Sequence, residues 1–215
     1  MKLSKRLDSI GEYYFSQKLR EIDQLNQQGR QVINLGIGSP DLPPHPSVIA
    51  TLQEEAARPN VHGYQSYKGS PILRKAMSDW YRKWYTVELD PETEILPLIG
   101  SKEGIMHICM TYLDKGDEVL VPDPGYPTYM SAVKLAGGKC VEYKLKASHH
   151  YEPDFAKLEK KKLGKVKLMF VNYPQMPTGQ LPSKGLFERL IAFAKEHGML
   201  LVHDNPYSFI LNDTP

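Results

Sequence analysis

The sequence has little cysteine, little net charge and no long apolar run. Its two cysteines, Cys109 and Cys140, stand far apart in apolar surroundings. They form neither a disulfide framework nor a metal-ligand spacing. Two reduced core thiols in a cytoplasmic protein are the simpler reading. The 27 Lys and Arg against 25 Asp and Glu leave a net charge of +2. That is too small to point to nucleic acid or an anionic membrane surface as a partner. No apolar stretch approaches the roughly 20 residues of a membrane span. The opening Met-Lys-Leu-Ser-Lys-Arg-Leu-Asp-Ser-Ile mixes charge with single apolar residues and contains no signal-peptide core. Repeats and low-complexity segments are absent as well. What remains is an ordinary globular composition, 41% hydrophobic and 24% charged, over 215 residues. That length suits one domain or a domain and a half.

Periodicity supplies the fold class. Leu7, Ile10, Tyr14, Leu19, Ile22 and Leu25 follow a loose helical period over 5–28. Residues 32–37 read as a short strand, and the proline-rich stretch after them as an irregular loop. Helices are predicted over 45–58 and 70–85. From residue 94 onward, apolar β-rich runs at 95–99, 118–122, 140–145, 166–172 and 199–203 alternate with helical segments at 102–113, 127–136, 153–162 and 183–197. Such alternation predicts an α/β fold: a mostly parallel sheet with helices on both faces, three layers in all. Residues 1–45 fall outside the alternation and are assigned to an N-terminal arm and part of a small domain. Residues 46–215 are assigned to the large domain.

The chemistry concentrates where predicted strands end, which is where open α/β sheets bind ligands. Gly100-Ser101-Lys102-Glu103-Gly104 turns from a strand into a helix. Its free amides and the helix dipole form a natural phosphate seat, although many such turns carry Gly and Ser merely as caps. Asp123-Pro124-Gly125-Tyr126-Pro127 is a stiff loop presenting Tyr126, which can stack on a flat heterocycle or simply pack on a helix. Leu-Leu-Val-His-Asp-Asn-Pro-Tyr at 200–207 ends an apolar run in Asp204, with Tyr207 three residues on. His203 should face the opposite side of the strand and read as a packed histidine. No residue set suggests a metal site.

These elements, together with Asn172-Tyr-Pro-Gln-Met-Pro-Thr-Gly179, resemble the pyridoxal-phosphate (PLP) aminotransferases of class I/II, the aspartate aminotransferase superfamily with PLP fold type I. The resemblance runs from about residue 30 to the end and implies a homodimeric, cytoplasmic enzyme acting on an amino acid and a 2-oxo acid. It assigns Ser101, Lys102, Tyr126, Asp204 and Tyr207 to cofactor binding. Asp204 would face the pyridine nitrogen, Tyr207 the phenolic oxygen, and Tyr129 would be a partner of Asp204. Tyr64 would reach the cofactor phosphate of the neighbouring subunit, placing the sites at a dimer interface. Gly38, in Gly36-Ile-Gly-Ser-Pro-Asp41, would lie over the substrate carboxylate. One position departs. The family's Asn before Pro-Thr-Gly donates to the phenolic oxygen, but here it is Met176, and a thioether cannot donate. The contact is lost, or Gln175 or Asn172 supplies it.

The family's Schiff-base lysine and the arginine that clamps the substrate carboxylate are expected after the Asp-x-x-Tyr element. Eight residues follow Tyr207, none of them Lys. No catalytic residue is therefore assigned. The chain is expected to be the N-terminal part of a longer enzyme or a truncated product, its large domain incomplete, and inert by itself. Two alternatives share the fold: a PLP lyase or synthase, and a non-catalytic PLP-fold protein. Aspartate, aromatic amino acids and LL-diaminopimelate all remain open as substrates.

Overall fold

A computed structural model describes residues 2–8, 10–38 and 40–210. They form two compact units: the described residues of 11–70, and those of 1–10 with 71–215.

The smaller unit holds helices α1 (Tyr14–Gln27) and α2 (Pro46–Ala56). α2 starts where Pro46 takes the first helical position and His45 Nδ1 accepts the Ser47 N–H. Residues 32–37, expected as a strand, pair with none. The Val32 N–H instead donates to Asn26 Oδ1 at 2.6 Å, so a side chain takes the bond a neighbouring strand would have made.

In the larger unit the chain runs α3 (Pro71–Tyr85), α4 (Ser101–Tyr112), β1 (Glu118–Asp123), α5 (Pro127–Leu135), β2 (Lys139–Lys144), a short α6 (Phe155–Leu158), β3 (Val166–Asn172), α7 (Lys184–Glu196) and β4 (Leu200–Asp204). The described strands form one all-parallel sheet in the order β2-β1-β3-β4. Strand alternation divides its side chains between two cores. Leu120, Met169 and Val171 pack on the face covered by Leu186, Leu190 and Phe193 of α7. Val119, Val121, Leu168 and Phe170 pack on the face covered by Ile105 and Cys109 of α4 and by Tyr129 and Val133 of α5. Both faces of β1 and β3 are thus apolar, as a sheet covered on both sides requires. Cys109 lies in the second core, where burial pushes its thiol up to about 11, and burial raises Cys140 as well. Both stay protonated and unreactive at neutral pH.

α7 shows how local sequence sets element ends. Ser183 Oγ accepts the Leu186 N–H at 3.1 Å at its start. At its end Gly198 takes φ +63° and the Met199 N–H returns to the Ala194 carbonyl at 2.9 Å.

Two further expectations are corrected. Residues 95–99 are not a strand, and Ile99 is fully exposed. The edge strands of the described sheet, β2 and β4, pair with β1 and β3, and residues 95–99 join neither edge. The Ile99 N–H is taken by Glu103 Oε2 at 2.7 Å instead. The helix expected over 153–162 shortens to Phe155–Leu158. It stops before Lys160 and Lys161, which another turn would set three and four residues from Lys157, like charge beside like.

Candidate functional site

The carboxyl ends of β1, β3 and β4 lie side by side, and their register builds the site. Asn172 and Asp204, the last residues of β3 and β4, are directly paired. Asn172 Nδ2 donates to the Asp204 carbonyl at 2.7 Å, and its Oδ1 accepts the Met176 N–H at 2.7 Å. One buried amide therefore ties two strand ends to the loop that follows β3.

The Asp204 carboxylate is aimed by Tyr129, whose hydroxyl donates to Oδ2 at 2.8 Å. Tyr129 comes from α5 and is only 1% exposed. Its ring stacks on Phe170 of β3, with centroids 4.8 Å apart and planes at 7°. Burial, then the adjacent Asp204 carboxylate, drive the Tyr129 phenol far above its ordinary range. It stays protonated at any physiological pH and holds its donor on Asp204.

Tyr126 stands at the entry to α5, its ring edge-on to Tyr129 at 5.7 Å. The loop that carries it folds tightly. A Cβ on Gly125 would lie 2.5 Å from the Pro122 carbonyl oxygen, a backbone atom that cannot swing aside. Gly125→Ala is therefore expected to cost about 1–3 kcal/mol through overpacking and to displace Tyr126. Chemical denaturation measures the cost, and a loss under about 0.5 kcal/mol would show the loop to be slack. Gln175, buried behind the loop, donates through Nε2 to the carbonyls of Pro124 (3.0 Å) and Met176 (2.6 Å). Its Oε1 accepts from Thr178 N and Oγ1.

These elements enclose a cavity of about 160 Å3 lined by Ser101, Tyr126, Tyr129, Asn172, Met176, Asp204, Pro206 and Tyr207. Ser101 is the first residue of α4, whose N-cap, Gly100, offers no side-chain bond to the first turn. The Glu103 N–H turns back to the Gly100 carbonyl at 3.1 Å, and the positive end of the helix dipole favours an anion beside Ser101. On another side Tyr207 Oη points to Met176 Sδ at 3.5 Å, a weak acceptor.

Four of the six residues assigned to cofactor binding, Ser101, Tyr126, Asp204 and Tyr207, thus line one cavity. Lys102 lies beside it, its Nζ 5.8 Å from the Tyr126 ring centroid. Tyr64 and Gly38 belong to the 11–70 unit, where Tyr64 is fully exposed and open space surrounds Gly38. Of the two substitutes for the missing Asn, Gln175 has both amide hydrogens engaged and does not line the cavity. Asn172 lines it with one hydrogen held by Asp204. The bridge made by Asn172 was not anticipated. Its signal was a polar residue closing an apolar strand. His203 faces the other side, its Nε2 2.8 Å from the Tyr173 carbonyl and its ring 4.9 Å from Phe187, a satisfied histidine that stays exposed.

The donor set is specific. A carboxylate fits a protonated ring nitrogen, an aromatic face fits a flat ring, a phenol fits a ring oxygen, and a helix start with a hydroxyl fits a phosphate.

Comparison with known proteins gives the same picture. The family model "Aminotransferase class I and II" matches residues 30–214. An LL-diaminopimelate aminotransferase of Dehalococcoides mccartyi is 42% identical over 213 residues, covering 99% of this chain and 55% of that protein. Transaminase BacF of Bacillus subtilis is 39% identical over 193 residues, covering 90% of this chain and 48% of that protein. A Thermus thermophilus aspartate aminotransferase single mutant superposes with a TM-score of 0.90 at 27% identity, covering 97% of this chain and 54% of that one. The chain spans about half the length of the curated relatives it matches.

Proposed function

Because the chain belongs to the class I and II aminotransferase family, we propose that its cavity seats pyridoxal 5'-phosphate in an enzyme moving an amino group between an amino acid and a 2-oxo acid. The observation that carries this reading is the gathering of Ser101, Tyr126, Asp204 and Tyr207 around one cavity, with Tyr129 bonded to Asp204. When bound, the cofactor supplies an electron sink for the bond being broken at the substrate's α-carbon. The chain's own residues set that sink. Asp204 holds the proton on the ring nitrogen, because an adjacent carboxylate favours the charged form. Tyr129 fixes the carboxylate's orientation. Tyr126 covers one ring face, and Tyr207 donates to the ring oxygen. Ser101, at the positive end of the α4 dipole, takes the phosphate, with the Lys102 side chain alongside.

By family resemblance, Tyr64 reaches the phosphate of a second subunit and Gly38 lies against the substrate carboxylate. Together these make the working form a homodimer with shared sites. The cytoplasm is the proposed compartment. Among the described residues no helix is long and apolar enough to cross a membrane. LL-Diaminopimelate is the first amino donor to try, since a 42% identical relative carries that name.

The test is a titration of the purified chain with PLP, followed by absorbance and tyrosine fluorescence. Saturable binding is expected, with pyridoxal, which lacks the phosphate, at least about tenfold weaker. No saturation, or equal binding of the two, would overturn the assignment.

A further inference from the structure

A second cavity, of about 200 Å3, opens at the carboxyl end of β2 and shares no lining residue with the first. Its floor is apolar. Tyr143 and Leu158 are both buried there, and the Tyr143 hydroxyl is spent inside the core on the Phe170 carbonyl at 2.6 Å. Its rim is cationic. Lys144 is paired with Asp123 and Glu142, and Lys157 with Asp154. Lys146 and Lys161 line the same cavity, and neither has a carboxylate partner among the described residues. Four ammonium groups, those of Lys144, Lys146, Lys157 and Lys161, therefore stand against the three carboxylates of Asp123, Glu142 and Asp154 over an apolar floor.

We propose that this cavity binds a phosphate monoester with an apolar body. A rim that gathers Lys146 and Lys161 with a net positive charge attracts a dianion more than a monoanion. The buried Tyr143 and Leu158 give a ring or alkyl group a surface to leave water for. A neutral apolar ligand would leave the cations unused, and a bare anion would leave the floor unused. Nothing here depends on the cofactor assignment, because the two cavities are built from different residues.

The probe is phenyl phosphate, titrated into the 215-residue chain and followed by amide NMR, with inorganic phosphate as a parallel arm. Saturable shifts are expected for amides of 142–149 and 154–161, with half-saturation below about 1 mM. Inorganic phosphate should bind at least about tenfold more weakly, since it gains nothing from the floor. The double variant K146Q/K161Q alters only exposed side chains. It should keep the wild-type circular dichroism and melting temperature while weakening phenyl phosphate at least about tenfold. The proposal fails if no shift saturates by about 10 mM, if shifts are confined to amides around Ser101 and Tyr126, or if the double variant binds as tightly as the parent.

Discussion

Replacing Asp204 with Ala should weaken PLP binding by roughly ten- to a hundredfold. A hydrogen bond to a charged partner contributes roughly 1.5–3 kcal/mol, and 1.4 kcal/mol is tenfold in affinity. The loss falls at two atoms at once. The ring nitrogen has no carboxylate to hold its proton, and the Tyr129 hydroxyl, buried and bonded at 2.8 Å to Asp204, has no acceptor. Asp204→Asn separates these effects. It keeps an acceptor for Tyr129 but removes the negative charge, so fold stability should be nearly that of the parent while PLP affinity falls most of the way to the Ala value. Fluorescence titration beside chemical denaturation reads both. An Asp204→Ala chain that binds PLP within about threefold of the parent would show that this carboxylate does not meet the ring.

Phe170→Ala should be the most destabilising single change at the site, at about 3–5 kcal/mol, the range for truncating a fully buried aromatic. Phe170 is wholly buried and lies flat against Tyr129. The substitution removes both the core filling and the surface that positions the donor to Asp204. Small domains are stable by only about 5–15 kcal/mol, so the Ala variant is suited to measuring stability and not binding. Phe170→Leu, costing less than the Ala change because only part of the ring's volume is lost, should remain folded and still weaken PLP several-fold, although Phe170 does not line the cavity. A midpoint for Phe170→Ala within about 1 kcal/mol of the parent would contradict the stacked arrangement, and unchanged PLP affinity in Phe170→Leu would place Tyr129's orientation elsewhere.

The chain's legibility varied with how local each signal was. β1, β3 and α7 are readable because their signals lie within a few residues: continuous apolar runs for strands covered on both faces, and Ser183 and Gly198 for the helix ends. Residues 95–99 carry a strand's composition without its partner. Strand formation depends on a neighbouring backbone, which a one-dimensional pattern does not contain. The three-lysine run after Leu158 shortened a helix that apolar spacing alone had extended.

The α/β class was legible in the sequence, as were four residues that line one cavity, Ser101, Tyr126, Asp204 and Tyr207. A carboxylate ending an apolar run, a tyrosine three positions later, a Gly-Ser turn opening a helix and a tyrosine in a proline-stiffened loop are each local chemical statements. Only the tertiary structure decided which of them meet, and how. The pairing of Asn172 with Asp204 joins residues 32 apart in sequence, and the bond from Tyr129 to Asp204 joins residues 75 apart. Parallel strand register and the stacking of Tyr129 on Phe170 bring these groups within hydrogen-bonding distance. Contacts at such separation follow from how whole elements pack, a property of three-dimensional register that no neighbouring residue encodes.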